Sequence, residues 1–237
     1  MYIPSFLTHP TFRHLLVLMV AVSALGFSAC SDDDDEEPVV TEQRAQADIQ
    51  QAFASGGVTT QVSKAVSLAE DFGVGKTAAC NQSDQDTVNF NLSDTTGNGF
   101  SVDFTYIWDF SLQCVNNSPE TFTFDMTSDG NVSGNANGQT FEVIYEVIHD
   151  GSLTNLTTGS EYTYNTNQYS FNVDATLDNA SYTGNMNIDF SNVKVDKGTG
   201  NINSGSAVVN YSGTDQNGVS FQYNINLTFQ GNGQATG

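Results

Sequence analysis

The stretch Gly99–Cys114, GFSVDFTYIWDFSLQC, decides the architecture. Phe100, Val102, Phe104, Tyr106, Trp108, Phe110, Leu112 and Cys114 occupy even positions, Ser101, Asp103, Thr105, Asp109, Ser111 and Gln113 alternate with them, and only Ile107 breaks the polar side. A two-residue period sends successive side chains to opposite faces of a strand, so the run predicts one buried face and one wet face. At about 3.3 Å per residue it would span about 50 Å, which predicts a bend or bulge within it.

The alternation recurs downstream. Phe122, Phe124 and Met126 form one strand face, and Phe141, Val143, Tyr145 and Val147 the next. Tyr169 to Leu177 and Tyr182 to Phe190 follow, with a register shift at Val193 and Val195, and then Ala207 to Tyr211 and Val219 to Phe229. The segments between them, SDGNVSGNANG, LDNAS, DKGTGN and TDQNG, are rich in hairpin-turn residues. Upstream, Thr41–Gly57 places Ala45, Ile49, Ala52 and Phe53 at helical spacing, and Thr59–Gly73 does the same with Val62, Val66 and Ala69. The expected fold is therefore mainly β: an antiparallel meander forming a curved sheet, half-barrel or barrel, of lipocalin-like or carrier-like outline, with two short N-terminal helices. A sandwich is the lesser alternative. An outer-membrane barrel fits poorly, because the loops lack its long-and-short asymmetry and the sequence runs out in QGNGQATG.

The first thirty residues read differently. Arg13 and His14 precede an apolar run from Leu15 to Phe27, too short to cross about 30 Å of hydrocarbon as a helix, and small residues lead to Cys30. This is the layout of an export signal. Phe27-Ser28-Ala29-Cys30 resembles a bacterial lipobox, with Phe27 where Leu is commoner, and Ser31-Asp32-Asp33-Asp34-Asp35-Glu36-Glu37 resembles the acidic export signal of Bacteroidota-type surface lipoproteins. The resemblance covers residues 1–37 only. It implies a signal peptide over 1–29, a lipid on Cys30 (palmitate among its acyl chains), a tether over 30–40, and display on the outer membrane of a single β-rich domain, 41–237. Physical chemistry agrees: several acyl chains anchor firmly, and a block of like charge stays extended and is repelled by anionic lipid. An ordinary secretory signal cleaved after Ala29 is the alternative.

Lys and Arg number 6 against 27 Asp and Glu, a net charge of −21, which excludes nucleic acid as a partner because phosphate binding needs clustered cations. With Cys30 lipidated, Cys80 and Cys114 form an even pair in an exported chain and are expected to be disulfide-bonded.

Catalytic motifs are scarce. Gly73–Thr77, GVGKT, lacks the first glycine of a phosphate-binding loop, whose place Glu70 takes. Asp129–Asn135 matches the start of a calcium loop, but the twelfth position is Thr140, and a hairpin turn is the preferred reading. Glu142 and Glu146 stand about 13 Å apart, too far for a glycosidase pair within the one strand, which leaves a pair across neighbouring strands open. His149, the last histidine after processing, reads as a surface or turn residue at a strand end, and no G-x-S-x-G segment accompanies it. No metal site, cofactor or catalytic residue is expected. Asp86-Thr87-Val88 and Asp94-Thr95-Thr96 resemble the O-glycosylation motif of Bacteroidota-type exported proteins, making Thr87 and Thr95 candidate modification sites. The expected function is non-enzymatic: a surface lipoprotein binding glycans or envelope partners, or alternatively a carrier holding a lipid or other apolar ligand between sheet and helices.

Overall fold

In the computed structural model the described residues are Ala45, Ile49, 58–72, 80–93, 99–136, 139–177, 180–231 and 234–236. They form helix α1 (Val58–Phe72) followed by nine strands: β1 (Gln82–Ser93), β2 (Ser101–Val115), β3 (Ser118–Ala136), β4 (Gln139–Thr154), β5 (Glu161–Leu177), β6 (Ala180–Asp196), β7 (Ile202–Asp215), β8 (Ser220–Gly231) and β9 (Gln234–Thr236). All pair antiparallel in sequence order, so the meander is as predicted.

Two features of the expected fold are corrected. The sheet is open: β1 lies at one end of the strand order and β9 at the other, and no described strand pairs across to close a barrel. Closure needs two long complementary edges. Here the inner face of β1 carries Asp84 and Asp86, the latter ion-paired at 2.9 Å with Lys64 of α1, while β9 is three residues long. Among the described residues there is also one helix rather than two. Of the first predicted helix only Ala45 and Ile49 are described, both helical and buried in the core; the rest of it, and GVGKT, lie outside the described residues.

Helix α1 seats Val58, Gln61, Val62, Ala65, Val66, Leu68 and Ala69 on the sheet, and Phe72 meets Phe110 edge-on at 5.1 Å. The inner face it covers is the alternating apolar set: Trp108, Phe124, Leu153, Tyr164, Ile188 and Leu227 are all buried in one cluster. Bulges fall at Gln113/Cys114, as the length of that run predicted, at Asp150/Gly151, and between Ser191 and Val195, where the sequence showed the register shift. Cys80 and Cys114 are disulfide-bonded, closing the corner where β1 starts and β2 ends. Asn81 completes that corner, its backbone N–H donating to Leu112 and its side-chain oxygen accepting from Cys114 N–H.

The segment Asp129–Asn135 is neither turn nor calcium loop but the C-terminal part of β3. Gly130 faces inward with the Tyr145 ring across it, so close that a Cβ would come within 2.3 Å of the ring. The register joins it to a transverse row, Phe104, Gly130, Tyr145, Val173, Gly184, Gly213 and Phe221, in which rings lie over glycines. At Gly213 a Cβ would sit 2.3 Å from the Thr183 carbonyl oxygen and 2.5 Å from the Phe221 ring. A backbone oxygen cannot step aside, so Gly213→Ala is expected to destabilise by about 2–3 kcal/mol in urea unfolding. Gly159→Ala meets no atom within 4 Å, only a strained φ of 64°, and should cost about 1 kcal/mol.

Candidate functional site

The two faces of the sheet hold different chemistry. On the inner face β4 continues past Val147, and His149 is fully buried in its middle rather than exposed at its end. Gln61, one turn into α1 and 6% exposed, reaches its Nδ1 at 3.0 Å. The Gln61 carbonyl oxygen accepts there, which leaves Nε2 to accept from the Tyr164 hydroxyl. Gln61 also bonds the Tyr169 phenol, and the rings of Phe124 and Tyr169 stand edge-on to the imidazole at 5.2 and 5.0 Å. Beside this group lie the hydrogen-bonded phenols of Tyr106 and Tyr145. The Ser128 hydroxyl lies beside both phenols and partly offsets their upward shift, yet its Oγ makes no hydrogen bond of ordinary geometry.

Burial controls ionisation throughout this cluster. Desolvation pushes His149 down to about 3 and holds it neutral, and it pushes Tyr164, Tyr169, Tyr106 and Tyr145 well above the ordinary phenol range. Both imidazole nitrogens are bonded, to Gln61 and to Tyr164, and the ring is fully buried. Among the described residues no group of three or more His, Cys, Asp or Glu is placed to hold a metal ion.

The outer face carries a groove of about 830 Å³ across β2 to β6, walled by Asp103, Asp129, Asn131, Glu146, Asn172 and Asp174, with Gly130 and Gly184 in its floor. It crosses a transverse polar row: Asn89, Thr105, Asp129, Glu146, Asn172, Asn185, Ser212 and Gln222 are successive register partners across eight strands. Side chains along the row are bonded to one another, Thr105 to Asn89 at 2.9 Å, Asn172 to Glu146 at 3.1 Å and Asn185 to Asn172 at 2.6 Å. Asn131 donates to Glu142 and Asn91 to Asp103, both at 2.9 Å. The groove is thus a pre-set array of carboxylates, amides and hydroxyls on a regular sheet.

No cation lines it. The three described lysines are committed elsewhere: Lys64 to Asp86, Lys194 to the Thr163 hydroxyl, and Lys197 to the carbonyls of Asn155, Leu156 and Thr158 over the Tyr162 ring. A second acidic row, Asp109, Asp125 and Asp150, crosses β2 to β4 outside the groove, and partial burial together with Asp125 raises the Asp150 carboxyl.

The predicted site residues are scattered. Thr87 is exposed on the outer face of edge strand β1, open to a modifying enzyme. Thr95, Cys30 and Ser31 to Glu37 lie outside the described residues. Sequence reading missed the groove and the role of Gln61.

Neutral burial of His149 has a pH consequence. The unfolded chain binds a proton there below about 6.5 and the folded chain does not until about 3, so stability is complete above pH 6.5 and falls by about 1.4 kcal/mol per pH unit between those values. Urea unfolding across pH 7 to 4 should show this slope, and His149→Gln should lower stability at pH 7 but flatten the slope. An equal slope in that variant would place the acid sensitivity elsewhere. No protein-family model, no curated protein and no solved structure matches this chain.

Proposed function

We propose that this chain is a lipid-tethered surface protein that binds a hydroxyl-rich ligand, a glycan, in the outer groove of its sheet without transforming it. The carrying observation is the groove itself: carboxylates and amides, acceptors and donors for sugar hydroxyls, converge on one concave polar surface, and the chain's remaining histidine is sealed on the opposite face. Anionic ligands are disfavoured, since Asp103, Asp129, Glu146 and Asp174 share the groove with no lysine or arginine. The half-exposed Ile144 supplies an apolar strip for the less polar side of a sugar ring.

The groove is tested by direct binding. Full-length protein should be retained on a panel of neutral glycans, and Asp129→Ala and Asp174→Ala, both exposed positions, should each weaken retention about tenfold with unfolding unchanged. Retention that survives both changes removes the groove from the function. Release of sugar product, lost on changing one groove carboxylate, would make the protein an enzyme.

The tether supports the same reading, because a glycan binder works where glycans are presented. Metabolic labelling with a fatty acid should mark the wild-type chain and fail in Cys30→Ala. Neutral replacements of Asp32 to Glu37 should leave the label in place but shield the domain from protease added to intact cells; unchanged surface access would refute the export role of the acids.

A further inference from the structure

The two edges of the open sheet differ sharply. β1 carries Asp84 and Asp86 on its inner side, with Asp86 paired to Lys64, and inward charge is a device that discourages another strand from docking. At the far side, from Gly198 to Gly237, the only charged residue in the sequence is Asp215. That carboxylate is buried in the turn between β7 and β8, accepting the backbone N–H groups of Asn217 and Val219. β9 flanks only Thr228 to Gly231 of β8, so among the described residues Phe221–Leu227 forms the sheet's edge. This edge, FQYNINL, has no Pro, no Gly and no charge. It lacks every guard that β1 has.

We propose that this edge is an interaction surface for a second copy of the chain, the two β8 strands pairing antiparallel about a two-fold axis at Asn224. Pairing that centres on Asn224 sets Phe221 opposite Leu227 of the second copy, Tyr223 opposite Ile225, Gln222 opposite Asn226, and Asn224 opposite itself. Every inner-face apolar residue then meets an apolar one, every outer-face amide meets an amide, and both faces of the sheet continue across the axis. Charge selects the occupant. Two molecules of net charge −21 repel over most of their surface, and the β7–β9 end, with Asp215 as its single charge, is where they approach at least cost. The pairing ends at Leu227, just before β9 begins to flank the strand. The inference uses no groove residue, so it stands or falls separately from glycan binding.

Sedimentation velocity of the full chain in mild detergent should show a reversible monomer–dimer equilibrium. Asn224 is exposed, so charge placed there leaves the core untouched. Asn224→Asp and Asn224→Lys should each weaken self-association at least about tenfold, because each sets like charges face to face at the axis. An equimolar mixture of the two should restore it as a heterodimer. Thr87→Asp on the β1 edge should leave the equilibrium unchanged. A chain that stays monomeric at millimolar concentration, a dimer insensitive to both Asn224 variants, or one broken by Thr87→Asp instead, overturns the proposal.

Discussion

Register continuity is the constraint on which the rest of the structure depends. In a single antiparallel meander each hairpin hands its alternation to the next strand, and a slip of one residue anywhere would turn every later side chain to the opposite face. The polar row from Asn89 to Gln222 and the glycine-containing row from Phe104 to Phe221 each pass through seven or more strands without such a slip. Bulges do occur, at Gln113/Cys114, Asp150/Gly151, Ser191 to Val195 and Phe229/Gly231, but none interrupts either row. The part of the sheet that carries the groove pairs regularly, which keeps its carboxylates and amides at fixed spacings.

Seating of α1 follows from that register. Apolar contacts alone would let a short helix slide over a wide apolar sheet. The bonds from Gln61 to His149 and Tyr169 are directional, and a displaced Gln61 would leave buried polar atoms without partners at a cost of about 1–3 kcal/mol each. The polar cluster is therefore read as the pin that fixes the helix position, with the disulfide at Cys80 and Cys114 fixing the chain where it passes from helix to sheet.

Periodicity made most of the sheet legible: β2, β6 and β8 stand where alternation put them, and the shift near Val193 was visible as a break in phase. Three things were hidden for identifiable reasons. Gly130 and Gly134 imitate a turn because glycine is read by its conformational freedom, whereas here it is used for its lack of a side chain under Tyr145 and Phe141. His149 and Gln61 do sit in phase, His149 two residues beyond Val147 and Gln61 three beyond Val58, but polarity masks a core position when periodicity is counted on apolar residues alone. Openness was illegible because alternation reports faces, and closure is decided at edges. β1 itself, QSDQDTVNFNLS, carries only Val88, Phe90 and Leu92 on its inner side after two aspartates, too weak a pattern to announce an edge strand.

The separation of chemistry between faces also bears on what kind of activity the fold can support. Acid–base catalysis needs a titratable group in contact with substrate, commonly one whose ionisation is displaced. Of the strongly displaced groups, His149, Tyr164 and Tyr169 owe their displacement to burial in the core, while Tyr145, displaced by burial likewise, lines the groove. Asp150, displaced on the outer side, stands outside the groove beside Asp125. The groove has access but offers side chains already bonded into a lattice along the sheet, among them Asn172 to Glu146 and Asn91 to Asp103. A surface whose side chains are held in place by their own hydrogen bonds is suited to recognising a ligand of matching pattern.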